Sequence, residues 1–272
     1  MQLSELVSQR FVMPSIPKVM ALLLTEMMRG EPDLRRIDQL LSTDPALTTL
    51  VLQAANASFS KLSGQLHSVA EALAVLRLTQ VQSLVAAAAA SATFKSVPGI
   101  ALPQFWAYCL DTAKVARSLA ALLHQNQQAA FTCGLMHAVG ELAMRMAMPE
   151  VMALDSSAAV FDLKRARVER HSVGFCYTEV SAAMARHWHF PDIMVNALAY
   201  QHAPFDNEVY EPLAGVIHLA IWRARAKQAA LSAKALAVSF PARVGDVLGL
   251  DIDMVLQQDP IDWSAQTVVQ TL

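Results

Sequence analysis

Apolar positions recur along this chain at helical rather than strand spacing. In TDPALTTLVLQAAN, Leu47, Leu50, Val51 and Ala54 fall at i, i+3, i+4 and i+7, the repeat that puts side chains on one face of a helix and requires that face to be buried. Asp44 stands where an N-cap accepts backbone N–H bonds, and Pro45 takes the first helical position, where its missing donor costs nothing. Ser15 and Pro17 open MPSIPKVMALLLTEMM in the same way. Ser68 and Glu71 in SVAEALAVLRL form the S-x-x-E capping box ahead of Ala72, Leu73 and Leu76, the clearest local helix start in the chain. Long helical patterns follow at about 104–125, 128–147, 178–189, 191–201 and 213–230. Residues 235–256 are less regular, and Pro241 with Gly245 and Gly249 predicts short helices joined by turns.

The convincing break in the first half is KSVPGIALP, 95–103, where two prolines and a glycine follow an alanine-rich run. It predicts an all-α protein of two helical lobes, 1–95 and 96–272, with no repeat at a fixed period. A chain of 272 residues that is 54% hydrophobic, with only nine glycines, can bury a sizeable core.

Charge narrows the function classes. A formal net charge of −2 and a pI near 6.4 supply no broad positive field for nucleic acid or an anionic membrane surface. The basic clusters KRARVER at 164–170 and RARAK at 223–227 are expected on solvated helix faces. The start MQLSELVSQR lacks the basic and apolar segments of a secretory signal, and the greasy run SLVAAAAASATF at 83–94 is shorter than the ~18 residues needed to span a bilayer. Cys109, Cys133 and Cys176 show no CxxC pairing, which suits small buried thiols in a reducing, cytoplasmic setting. Most of the thirteen methionines fall within helix patterns and read as core filling, and the alanines of 86–92 read as a close helix contact.

Candidate chemistry is sparse. A metal-dependent hydrolase needs several donors converging on one cation, so histidines with company matter most. His137 and Glu141 are four apart and share a face if their helix is unbroken, although Gly140 lies between them. His202 sits in YQHAP at a helix end; His187 and His189 flank Trp188, where a helix would point them apart; His67, His124 and His218 stand alone. HExxH, GxSxG, P-loop and GxGxxG patterns are absent.

The order of these segments resembles the HDOD domain. MPSIPKVMALLLTEM, DLRRIDQLLSTDPALTTLVLQAANASF and HSVAEALAVLRLTQVQSLV match its first half, and FWAYCLDTAKVARSLA, AAFTCGLMHAVGEL and ERHSVGFCYTEVSAAMARHWHFPDIMVNALAYQHAP its second, over about residues 6–230. The resemblance implies an HD-type helical bundle related to metal-dependent phosphohydrolases and used in bacterial signalling. Carried over position by position, the HD metal ligands fall on Cys109, His137, Ala138, Tyr177, Gln201 and His202. Only His137 and His202 keep the residue type. The acid that would bridge the metal is Ala138, so neither cation affinity nor water activation has an evident source. The chain also lacks the glycine of the family's EALxxLG stretch, since Arg77 follows Leu76, and the local turn is the feature this puts in question.

The expectation is therefore a non-catalytic regulatory module with no metal or other cofactor. It would bind a signalling protein partner or a small ligand at a vestigial cleft between the lobes, lined by Cys109, His137, Ala138, Glu141, Tyr177, Gln201 and His202. The alternative is a divergent phosphohydrolase in which His137, Glu141 and His202 recruit a cation.

Overall fold

The computed structural model describes residues 1–9, 12–58, 65–91, 96–256 and 261. Residues 92–95 and 262–272, which belong to the two expected lobes, lie outside the described residues. The described chain is all-α. The first half holds α1 (Leu3–Ser8), α2 (Pro17–Met27), α3 (Leu34–Leu41), α4 (Pro45–Ser58), α5 (Val69–Val75) and α6 (Leu78–Ser91). The second holds α7 (Leu102–Leu122), α8 (Gln127–Met136), α9 (Val139–Ala147), α10 (Arg165–Val173), α11 (Tyr177–His187), α12 (Asp192–Tyr200) and α13 (Pro212–Gln228). Three short helices, α14 (Ala233–Ser239), α15 (Ala242–Leu248) and α16 (Ile252–Leu256), finish it, and a 3-10 stretch, Pro149–Ser156, follows α9. No described helix is long and apolar enough to cross a membrane.

The caps explain most of the first half. Asp44 Oδ1 accepts the backbone N–H groups of Ala46 at 2.8 Å and Leu47 at 3.1 Å, as an N-cap should. Its other oxygen accepts the Ile16 N–H at 2.6 Å and the Ser15 hydroxyl. Ser15 therefore does not cap α2; it spends its hydroxyl on Asp44, and Pro17 starts the helix without a side-chain cap. One buried carboxylate thus ties the starts of α2 and α4 together. Ser68 accepts from the Glu71 N–H at 3.2 Å, while Glu71 reaches back to the His67 N–H at 2.6 Å, one residue before the donor a strict capping box would use. The buried stripe of α4 is Leu47, Val51, Leu52 and Ala55. Leu50 and Ala54 are half-buried, because α3, α5, α6 and α8 pack on a face slightly rotated from the one the periodicity selects.

Other expectations shift for similar reasons. In α6, Val81 and Val85 go inward, Ala88 and Ala89 are half-buried against the core and Ala86, Ala87 and Ala90 stay exposed, so only one side of the described alanine run meets its neighbours. Met28 is 85% exposed because it falls at the C-cap of α2, past the last buried turn. Arg77 is not among the residues with positive φ; the α5–α6 turn needs no glycine, and Gln80 accepts the Arg77 N–H at 2.8 Å.

α7 and α13 form the spine of the second half, with α8 and α12 packed beside them. Gly134 lets α8 approach α7, since a Cβ there would sit 2.6 Å from the Ala113 Cα. The principal apolar core is continuous from Ile16 to Ile261 and draws on both halves of the chain.

Candidate functional site

The pattern at 128–147 suggests one helix, but the chain breaks at His137–Ala138. His137 closes α8, and Ala138, at φ −113° and ψ 11°, precedes α9. The cause is packing on α11. A Cβ on Gly140 would lie 2.1 Å from the Tyr177 carbonyl oxygen and 2.8 Å from the Ser181 nitrogen, so only glycine lets α9 run this close to α11. The Ser181 hydroxyl fixes the crossing by accepting the Gly140 N–H at 2.9 Å.

Beside this break lies a cavity of about 160 Å³. His137, Ala138, Glu141, Tyr177, Gln201 and His202 all line it. Cys109 does not: it is fully buried in the core, and Tyr108, one residue earlier on α7, supplies the wall instead. The cleft also lies within the second half rather than between the lobes, because its walls come from α7, the α8–α9 break, α11, α12, α13 and the turn at 160–163.

Hydrogen bonds fix the polar wall. His137 Nδ1 donates to the Gly134 carbonyl at 2.8 Å, which sets the tautomer and leaves Nε2 as a lone pair. That Nε2 is buried and has no protein partner. Burial pushes the His137 pKa down to about 4, so the ring is neutral at ordinary pH. The Gln201 amide nitrogen donates to the carbonyls of His137 at 2.8 Å and Leu198 at 3.0 Å. Its side-chain oxygen, like His137 Nε2, is left without a donor. His218 Nδ1 donates to the Gln201 carbonyl at 2.7 Å. His202 Nδ1 lies 3.1 Å from the Thr178 hydroxyl, and burial, reinforced by Arg170, lowers its pKa. Tyr108 meets His137 edge-on, with ring centroids 5.0 Å apart.

Glu141 leads into a buried ion network. Its Oε1 accepts from Arg145 Nε at 2.7 Å and Arg165 Nη2 at 3.1 Å. Arg145 also pairs with Asp155 and reaches the Pro98 carbonyl at 3.2 Å. Arg165 adds Asp155 at 2.8 Å, Glu169 at 2.6 Å and the carbonyls of Ala158 and Val151. Both guanidinium side chains are completely buried. Together the arginines hold Asp155 below its ordinary pKa, outweighing the burial that opposes them. Three carboxyl groups face two cations, and Glu169 is the one whose retained proton removes the surplus negative charge. Burial first, then the neighbouring Glu141, raises its pKa to about 8. This corrects the reading of 164–170 as a solvated face: Arg165 and Glu169 point inward, whereas Lys164, Arg167 and Arg170 are exposed. Likewise Arg223, Arg225 and Lys227 are half-buried because alternate residues of that α13 turn pack into the core.

A divalent cation would need several negative or lone-pair donors at one point. Ala138 offers none, and of the two carboxylates that line the cavity Glu141 already carries two guanidinium groups and Asp162 pairs with Arg225 at 3.6 Å. Among the described residues no three His, Cys, Asp or Glu side chains are placed to hold a metal ion. The donor set does not fit the metal that the HD resemblance implies. All three cysteines are unpaired and buried, and burial pushes each thiol up, away from the thiolate a nucleophile requires.

Sequence reasoning missed His218, Tyr108, Arg145, Arg165 and Asp155. His218 carried a weak signal, since its i−4 neighbour Ala214 and i+3 neighbour Ile221 mark that helix face as buried. The two arginines carried none, for charged residues in helices are usually solvated.

Comparison with known proteins agrees with this architecture. An uncharacterized protein of Treponema pallidum (strain Nichols) is 24% identical over 211 residues, 76% of this chain and 41% of that one; the chain thus spans about two fifths of that curated relative. A crystal structure of the MmoQ response regulator from Methylococcus capsulatus superposes with a TM-score of 0.69 at 23% identity, covering 90% of this chain and 97% of that one. An HDOD domain protein of unknown function from Geobacter sulfurreducens gives a TM-score of 0.55 at 18% identity over 99% and 97% of the two chains. The HDOD domain model matches residues 13–204, which is most of the chain. This chain belongs to the HDOD domain family.

Proposed function

We propose that this chain is a regulatory HDOD module of the bacterial cytoplasm, which acts by binding a partner protein or small ligand and does not turn substrate over. The carrying observation is the pair of guanidinium groups on Glu141. Positive charge already occupies the neighbourhood a catalytic cation would claim, and Ala138 leaves no acid to bridge one. The name of the Methylococcus structure, a response regulator, agrees with a signalling role. Three buried free thiols agree with a reducing compartment. A formal net charge of −2 speaks for a protein or small-molecule partner over nucleic acid.

Elemental analysis of protein purified without chelator, with a phosphodiesterase assay in manganese, tests this reading. The expected result is substoichiometric metal and no turnover. Stoichiometric manganese, with turnover lost in His137→Ala, establishes the phosphohydrolase instead.

A further inference from the structure

The cavity beside His137 adjoins a second, larger pocket, and the two share Leu163 and His202 in their walls. Their polar characters are opposite. The inner cavity presents lone pairs: His137 Nε2 and the Gln201 side-chain oxygen are both buried and unpartnered. His218 donates its Nδ1 proton to a backbone carbonyl, which leaves its Nε2 as a further acceptor. An unsatisfied buried acceptor costs about 1–3 kcal/mol, so this wall favours an occupant that brings N–H or O–H donors. The outer pocket instead gathers Arg167, Arg170 and His171, with Asp206 as its one acid. Arg170 is partly engaged by Glu179 at 3.2 Å, and Arg167 is exposed.

Size and shape narrow the occupant. About 160 Å³ matches the ~150 Å³ that encloses one aromatic ring, and Tyr108, Phe161 and Tyr177 supply flat apolar walls. A free organic cation would have to pass the arginines at the mouth, which repel it; an anionic tail would be held there.

Resting on the reading of this chain as a binding module, we propose that the paired pockets bind a single-ring nitrogen heterocycle that carries an amino group at its inner end and an anionic group at its outer end. The ring's N–H donors meet the lone pairs of His137 and Gln201. The anion lies on Arg167, Arg170 and His171.

Cytidine monophosphate is the probe, titrated by calorimetry into the 272-residue chain in EDTA. Uridine monophosphate replaces the amino donor with an acceptor, and cytidine removes the anion; each is expected to bind at least about tenfold more weakly, the scale of one lost hydrogen-bonded or charged contact. Arg167→Glu, an exposed change, should bring the monophosphate to the affinity of cytidine and leave cytidine itself unchanged. Gln201→Leu should erase the preference for the amino ring. Because Gln201 also holds the His137 carbonyl, its melting temperature is recorded, and Arg167→Glu decides the case if Gln201→Leu fails to fold. Equal affinity for the two monophosphates, or no heat for cytidine monophosphate up to about 10 mM, overturns the proposal. Release of phosphate from a bound monophosphate would leave the binding proposal standing and overturn only the non-catalytic reading.

Discussion

Two regions of this molecule, the Asp44 junction and the arginine network, bury negative charge in different ways. In the first half Asp44, fully buried, is satisfied by three backbone N–H groups and one hydroxyl; no cation is among these donors. In the second half Glu141, Asp155 and Glu169 share two buried guanidinium groups. The Asp44 arrangement takes two donors from Ala46 and Leu47 just after it and two from Ser15 and Ile16 at the start of α2, and so fixes two helix starts. The arginine network reaches from Pro98 to Glu169 and fixes the relation of α9, the 3-10 stretch and α10. Local dipoles suffice where one carboxylate must be held. Full countercharges are needed where three carboxylates meet, because desolvating that much charge costs several kcal/mol per ion.

The sharpest way to break this comparison is to remove a countercharge. Arg165→Met should destabilise the fold by about 3–5 kcal/mol, since it strands buried carboxylates, as read from urea denaturation. A loss no larger than that of an exposed pair would show that the network does not hold this half together. Asp44→Ala comes next, at about 2–3 kcal/mol from a lost cap and a charge-assisted bond across to α2. Asp44→Asn, which keeps a cap acceptor, should cost less by the same measurement.

Titration separates the regions further. Glu169 has its pKa raised to about 8 in the fold, so the native state retains a proton that the unfolded chain releases above the ordinary carboxyl range. Its stabilising contribution is complete at low pH and is lost as pH rises toward 8, with a slope of at most about 1.4 kcal/mol per pH unit. His137, His202 and His218 have lowered pKa values and act in the opposite direction below about 6.5. The decline is therefore cleanest between about 6.5 and 8, and Glu169→Gln should flatten it in denaturation curves at a series of pH values. An unchanged slope would place the extra proton elsewhere. The smallest effect belongs to Ser68→Ala, a cap without buried charge, which should lower stability by about 0.5–1 kcal/mol in thermal melts. A loss as large as that of Asp44→Ala would show that capping, rather than charge burial, sets the cost in the first half.

Features that depend on near neighbours were readable without coordinates. The Asp44–Pro45 start, the Ser68 cap, the break near Pro98 and the short helices after 232 each follow from a few adjacent residues. Ser15 was misassigned because its better acceptor, Asp44, lies 29 residues away. The site was half readable. Position-by-position resemblance picked out His137, Ala138, Tyr177, Gln201 and His202, and the four-residue spacing from His137 picked out Glu141; all six line one cavity. It missed the wall by one residue at Cys109, because a helix turns about 100° per residue and Tyr108 is the side chain that faces inward there. Arg165 looked like one more surface cation in a charged run.

By itself, then, the sequence determined the helical class, several of the helix starts and the absence of an acid at position 138, because these depend on residue type and short spacing. Only the tertiary structure decided that α8 and α9 part at His137, that His218 joins the cavity and that two arginines neutralise its inner carboxylate. Those outcomes turn on how closely distant helices can approach and on which buried charges find partners, and both are properties of the packed whole.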